Sequence, residues 1–350
     1  MISSYFWIFV SSLIISFLLI PGVKKIAGKI DALDYPGTRR INEIPVPNIG
    51  GLAIWASFLI TSFIFFEFNE TLFGILLGGS FITFVGFVDD LYDISPFLKL
   101  IFQILAAGVL LLFGVQIEFI TNPFGGMIFL GIWGIPLTII WIVSITNVVN
   151  LMDGLDGLAA GVSVIAVITV FFVSLQEGQN LAAVMALSLA GSSLGFLYYN
   201  FHPAEIFMGD SGSMFLGYTL ASISVAGALK SATAITLVVP VLALGVPILD
   251  TLFAIIRRAY NGDPIAKADK GHIHHRLLAL GWNQQEATLI VYVISIFLGI
   301  IAIIFNSATF ENGLLLIFLA FLTVIFGAWK LGIFSAQLNS DKAEIRKGKY

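Results

Sequence analysis

Long apolar runs broken by short polar stretches dominate the chain. Eleven runs lie near residues 4–23, 48–67, 71–88, 97–115, 133–150, 157–175, 181–199, 213–230, 233–256, 286–306 and 312–332. Each is close to the roughly 20 residues that an α-helix needs to cross the hydrocarbon core of a bilayer. A spanning helix satisfies its backbone hydrogen bonds internally, whereas a barrel would show short segments of alternating polarity, and none appear. The pattern therefore predicts an all-α fold, a polytopic transmembrane helix bundle of about eleven spans (10–11). The first run resembles a signal peptide, but no small-residue cleavage site follows it and further spans come after, so it is read as a retained first helix.

Composition sharpens this reading. Of 350 residues, 58% are hydrophobic and only 11% are charged, and the mean hydropathy is +1.00. A soluble domain carries about a quarter charged residues, so this chain has too little polar surface to cover a water-facing globule. The net charge of −4 gives no case for nucleic acid, and the absence of cysteine excludes disulfides and thiolate metal sites. With the N-terminus outside, 16 of the 17 Lys and Arg residues fall on the inner side, Lys230 being the exception. That asymmetry predicts an outside N-terminus and a cytoplasmic C-terminus. Of the 21 acids, only Glu67, Glu70, Glu118, Glu177 and Glu311 fall outside. The inner face thus carries dense charge of both signs, and chemistry is expected there. One integral membrane domain is predicted over 1–350, with a cytoplasmic arm over 259–285 and a short basic tail over 335–350.

Four inner-side segments carry candidate chemistry. In FVDDLYD (87–93), Asp89 and Asp90 follow an apolar helix, where two adjacent carboxylates need a cation or a proton. With Asp93 they match the DDxxD pattern of soluble prenyl synthases, which is a weak signal because those enzymes are not membrane bundles. In NVVNLMDGLDGLAAG (147–161), Asn147, Asn150, Asp153 and Asp156 recur every third residue and predict a slowly turning polar stripe. Gly154 and Gly157 then break the helix. Amide and carboxylate oxygens together suit a hard ion such as magnesium; interhelical hydrogen bonding is the plainer alternative. In FMGDSGSMFLG (207–217), Asp210, Ser211 and Ser213 can cap a helix N-terminus. In KGHIHHRL (270–277), three of the chain's four histidines stand within four residues. They are too bunched for an easy tetrahedral zinc site and read better, with Lys270 and Arg276, as donors to phosphate or sugar oxygens. Lys99 is either a snorkelling side chain or a phosphate contact. Asp250 is either functional or a structural hydrogen-bonding group, and His202 is read as structural.

Taken together, FVDD, NVVNLMDGLDGLA, FMGDSGS and HIHHRL resemble, in order and spacing, the polyprenyl-phosphate N-acetylhexosamine-1-phosphate transferase family. The likeness runs from about residue 31 to 282. HIHHRL with the preceding VPILDTLFAIIRR is similar to the WecA- and TagO-like branch. The resemblance implies transfer of a sugar-1-phosphate, most simply N-acetylglucosamine-1-phosphate, from a UDP-N-acetylhexosamine to undecaprenyl phosphate, with release of UMP. It implies a bacterial inner-membrane enzyme that uses magnesium, with manganese as a substitute. Within the resemblance, Asn150 and Asp210 match metal-holding positions and Asp89 and Asp90 the essential acidic pair. Lys99 matches a phosphate-contacting lysine. Asp153, Asp156 and Phe207 match the nucleotide pocket, with Phe207 stacking on uracil, and Asn147 is expected among the substrate-binding residues. His272, His274, His275 and Arg276 match an arm over the sugar and pyrophosphate, and Arg39 and Arg40 a basic loop beside the lipid phosphate. Asn42 and Lys270 depart from the branch, which often has His and Arg there. Rivals are the same reaction with another UDP-sugar, including UDP-N-acetylmuramoyl-pentapeptide, and a secondary transporter, whose polar groups would lie near the midplane between repeats. The sequence leaves a homodimer open.

Overall fold

The computed structural model describes residues 2–36, 44–121, 126–228, 238–261, 272–308 and 310–330. Its long elements are helices: α1 (Ile2–Ile30), α2 (Gly51–Phe65), α3 (Glu70–Tyr92), α4 (Pro96–Leu112), α5 (Gly134–Met152), α6 (Leu158–Gln176), α7 (Asn180–Asn200), α8 (Gly209–Ala228), α9 (Val238–Ala243), α10 (Gly245–Asn261), α11 (Ile273–Ala279), α12 (Gln284–Ser307) and α13 (Phe310–Lys330). By length and composition six of them can cross a membrane: α1, α3, α5 with the short 3-10 turn before it, α6, α7 and α12. The apolar helices α2 and α4 are shorter, as is the apolar stretch Glu311–Gly327 of α13. Two small antiparallel pairs were not predicted. They join β1 (Leu33–Asp34) to β2 (Val46–Pro47) and β3 (Phe119–Thr121) to β4 (Met127–Phe129). Runs of two or three residues are too short to show an alternating pattern.

Helix α8 runs through the middle of the bundle, packed chiefly on α3 and α5. It is buried along nearly its whole length, and its sequence explains why. Small Gly, Ala, Ser and Thr side chains let neighbouring backbones approach closely. Three of its buried hydroxyls fold back on their own helix, Ser213 donating to the Gly209 carbonyl at 3.0 Å, Ser222 to the Tyr218 carbonyl at 2.7 Å and Ser224 to the Leu220 carbonyl at 2.8 Å. Those three polar atoms sit in the interior at little cost. Gly51 of α2 and Gly86 of α3 make close approaches, because a Cβ would lie 2.1 Å from the Gly212 backbone at the first and 2.5 Å from the Asp210 backbone carbonyl at the second.

The ninth predicted run, 233–256, is not one helix. Among its described residues the chain forms α9 and α10, with Leu244 between them. Pro247 lacks the N–H that would reach the Ala243 carbonyl, so the hydrogen-bond ladder is interrupted there. α10 then extends to Asn261, past the predicted end. The predicted polar stripe over 147–156 is also cut short: α5 ends at Met152, and a turn runs to Gly157, whose φ of 75° is accessible to glycine. Asp93 closes α3 in the left-handed conformation, with φ 50°. Helix termination accounts for this third aspartate of the DDxxD-like pattern.

Candidate active site

Four helices bring charged side chains together at one end of the bundle. α3 contributes Asp89 and Asp90 from its last turn, α4 contributes Lys99 from its first, α5 contributes Asn150, and α8 contributes Asp210 and Ser213 from its first. The Lys99 ammonium pairs with both the Asp89 and Asp210 carboxylates. The other Asp210 oxygen accepts from the Asn150 amide at 2.7 Å, and the same amide donates to Ser213 Oγ at 2.9 Å. The second Asp89 oxygen accepts the Ile94 backbone N–H at 2.8 Å. Lys99 therefore does not snorkel. At 25% exposure it ties a buried carboxylate to one that is 24% exposed.

Asp90 has a different job from its neighbour. Its two oxygens accept the backbone N–H groups of Asp210 and Ser211 at 2.7 and 3.1 Å. The cap of α8 thus comes from α3, not from the serines of the GDSGS segment. A carboxylate at a helix N-terminus satisfies orphan donors and complements the helix dipole. Here it also fixes Asp210 against Asp89.

One turn deeper, Gln103 of α4 and Asn147 of α5 form a mutual amide pair, at 2.6 and 3.3 Å, and Asn147 also donates to the Val143 carbonyl at 2.8 Å. Gln103 lies four residues after Lys99 and Asn147 three before Asn150. The pair sets the relative height of the two helices that carry those side chains. Phe207 is half-buried in the strip leading to α8, its N–H bonded to the Pro47 carbonyl at 2.7 Å and its carbonyl to the Gly50 N–H at 2.9 Å.

The turn after α5 divides its two aspartates. Asp156 accepts from the Ala204 N–H at 3.1 Å and pairs with His202 Nδ1 at 2.7 Å, so this carboxylate anchors the loop that leads to α8. His202 thus helps to hold this loop. Asp153 is half-buried. Burial, reinforced by the charges of Asp210 and Asp156, pushes its carboxyl up to about 7. The histidine arm folds over this turn. A Cβ on Gly154 would stand 3.0 Å from His274 Nε2, so the imidazole packs tightly on this glycine. His272 and His274 are buried with parallel rings 5.7 Å apart, and His274 and His275 rings are 4.4 Å apart. Burial, with help from His275, pushes His274 down to about 3 against the pull of Asp250. Arg276 is half-buried on the same short helix. Arg39 and Arg40, and likewise Asn42 and Lys270, lie outside the described residues.

The family described as glycosyl transferase family 4 matches residues 72–228, which hold Asp89, Asp90, Lys99, Asn150 and Asp210. Over 313 residues, covering 89% of this chain and 87% of the relative, the sequence is 43% identical to the probable undecaprenyl-phosphate N-acetylglucosaminyl 1-phosphate transferase of Bacillus subtilis (strain 168). The chain belongs to glycosyl transferase family 4. It is 35% identical to the decaprenyl-phosphate N-acetylglucosaminephosphotransferase of Mycobacterium leprae (strain TN), covering 82% of this chain and 79% of that one. It is 31% identical to the phospho-N-acetylmuramoyl-pentapeptide-transferase of Clostridium botulinum (strain Eklund 17B / Type B), covering 85% and 93%. The resemblance drawn from the four motifs is borne out, and the protein is a membrane-embedded transferase of this family.

In this family member the structure brings together Asp89, Asp90, Lys99, Asn150 and Asp210 directly, with Asn147 beneath them and Asp153 beside them. It sets Asp156 against His202 instead. Gln103 was missed. A lone glutamine in an apolar run, four residues after a charged one, is the signal that would have found it.

Proposed function

We propose that the protein transfers N-acetylglucosamine-1-phosphate from UDP-N-acetylglucosamine to undecaprenyl phosphate, releasing UMP, at the inner face of the bacterial cytoplasmic membrane. The observation that carries this reading is the Lys99 ammonium held between Asp89 and Asp210, with Asn150 on Asp210. It is a polar cluster at one end of a bundle of apolar helices, which suits a reaction between a membrane-borne phosphate and a water-soluble donor. The high identity to a relative named for undecaprenyl phosphate and N-acetylglucosamine supports the choice of substrates. The relative named for N-acetylmuramoyl-pentapeptide supports a second reading, with that bulkier donor.

In the proposed step an oxygen of the lipid phosphate attacks the β-phosphorus of the UDP-sugar. A P–O bond forms to the lipid, the bond from the β-phosphorus to the bridging oxygen breaks, and that oxygen leaves with UMP. The second pKa of a phosphate monoester is near ~6, so the attacking group is already largely dianionic at neutral pH and needs no strong base. Lys99 offsets charge on the phosphates. Asp89 orients Lys99, and Asp90 holds the start of α8. Asp153, Phe207 and the histidine arm, with Arg276, face the nucleotide sugar, while Arg39 and Arg40 serve the lipid phosphate.

The donor set fits magnesium. Asp89, Asp210 and Asn150 offer only oxygen ligands of the hard type, and Asp89 and Asp210 already share one cation, Lys99. Among the described residues no three His, Asp or Glu side chains form a ready metal cage; phosphate oxygens and water would complete the shell on Asn150 and Asp210. When bound, the ion neutralises the pyrophosphate and the departing charge. We further assign ten or eleven membrane crossings, an outside N-terminus and a cytoplasmic C-terminus.

The deciding experiment is turnover by the purified protein with undecaprenyl phosphate and a panel of UDP-sugars. UDP-N-acetylglucosamine should give the lipid-linked diphosphate sugar and UMP in equal amounts. Preference for UDP-N-acetylmuramoyl-pentapeptide would replace the donor, and inertness toward every UDP-sugar would overturn the reading. For topology, a cysteine at Gln179 should react with an impermeant thiol reagent in intact cells and one at Ser340 should not. The reverse would put the cluster on the wrong side.

A further inference from the structure

Asp250 lies in α10, which is none of the four helices that carry the cluster, and both of its oxygens are committed to the arm. Oδ2 pairs with His272 Nδ1 at 2.8 Å and Oδ1 accepts the Ile273 backbone N–H at 2.9 Å. His272 stands at the N-cap position of α11 but makes no capping bond with its own side chain. Asp250 supplies the cap from another helix. α11 has seven residues, far below the roughly 12–15 at which an isolated helix becomes even marginal in water. Its position therefore depends on what it docks against. At one end that is Asp250; in the middle it is Leu277, fully buried. Between those anchors His274 is pressed over Gly154, next to Asp153. A chain of contacts leads from Asp250 through α11 to the turn beside Asn150.

A carboxylate accepts, so His272 Nδ1 donates in the bond to Asp250. The charge-assisted contact orients the ring as well as holding it.

We propose that Asp250 is the positioning residue of the histidine arm: it latches α11 to α10 and orients His272 toward the diphosphate of the nucleotide sugar. The second half of this proposal rests on the reaction assigned above. The test uses the full-length protein and has two arms. In hydrogen exchange without substrate, Asp250→Ala should speed exchange at the amides of 273–279 about tenfold or more, while α8 stays protected. Unchanged exchange in the arm would overturn the latch. In kinetics, Asp250→Ala should lower kcat/KM for the UDP-sugar by about tenfold to a hundredfold, a charge-assisted bond's worth, and leave KM for undecaprenyl phosphate unchanged. Asp250→Asn keeps an acceptor and should recover part of the loss, with an altered pH profile. The double variant Asp250→Ala with His272→Ala should be little worse than either single one. Additive losses, or equal loss toward both substrates, would overturn the orienting role. A wild-type protein that turns over no UDP-sugar would instead sink the reaction, and the exchange arm alone would then decide the latch.

Discussion

The two halves of the site are built on opposite plans. The carboxylate–lysine cluster draws its residues from four long helices, α3, α4, α5 and α8, and almost every charge in it is already tied to another element. Asp90 caps α8, Lys99 bridges Asp89 and Asp210, and the Gln103–Asn147 pair sets the helix heights below. The arm is one seven-residue helix, docked through Asp250 at its start and through the buried His274 and Leu277 along its length. A rigid framework keeps reacting atoms within fractions of an ångström, which phosphoryl transfer requires. A short docked helix can release and re-close, which suits a part that must admit and discharge a soluble donor. Substitutions in the first region should strike turnover, and those in the second should strike donor recognition.

The largest effect is expected at Asp210, which ties α8 to the other three helices through Lys99, Asn150 and its own N–H on Asp90. Asp210→Asn should lower kcat by about a thousandfold or more while the purified protein remains monodisperse. Activity lost in EDTA should return with Mg²⁺ or Mn²⁺ in the wild type but not in this variant. Near-normal turnover by Asp210→Asn would remove it from the proposed metal site and erase the contrast between the two regions.

Lys99→Met comes next. It leaves Asp89, 6% exposed, and Asp210, 24% exposed, facing one another without their shared cation. Removing one partner of a largely buried pair costs more than the pair contributed, roughly 2–3 kcal/mol here with partial exposure allowed for. Thermal unfolding in detergent should move down, and kcat should fall about a hundredfold. Unchanged stability would mean that water screens the cluster and that it is less rigid than its geometry suggests.

Much of the rigid region was legible in the sequence, because charge in an apolar chain is expensive and conspicuous. Asp89, Asp90, Lys99, Asn150 and Asp210 stand out at run ends on physical grounds alone. What the sequence did not disclose is who pairs with whom. Nothing local says that Asp90 caps a helix 120 residues away, that Asn147 spends its amide on Gln103, or that Asp156 belongs to His202. Those are tertiary choices. The break between α9 and α10 was half-visible in Pro240, Gly245 and Pro247, but a hydropathy window averages over it. The arm was visible as a histidine cluster and its anchor was not, because an acid in a membrane-like run reads equally as functional or structural.

His274→Ala tests the second half of the comparison. Its loss should open the space above Gly154 and lower kcat/KM for the UDP-sugar by about tenfold to a hundredfold, with KM for undecaprenyl phosphate held within a few-fold. Stoichiometric zinc in the purified protein, lost in this variant, would support a metal role instead. Equal damage to both substrates would make the arm part of the framework.

The smallest effect concerns acid. His274 is buried, and its site pushes the imidazole down to about 3 from an ordinary 6.5. The docked arm therefore holds a neutral ring, while an undocked one takes up a proton below about pH 6.5. The undocked state binds more protons in that window, so docking is fully favourable above it and weakens as pH falls from 6.5 toward 3. The loss from this residue is about 1 kcal/mol at pH 6 and about 2 kcal/mol at pH 5. Hydrogen exchange at 273–279 should accelerate accordingly between pH 7 and 5, after correction for intrinsic rates, while the first turn of α8 changes less. His274→Gln, which cannot titrate, should flatten that dependence. An arm equally protected at pH 7 and 5 would mean that the imidazole reaches water without undocking, and the division between a fixed cluster and a releasable arm would lose its physical basis.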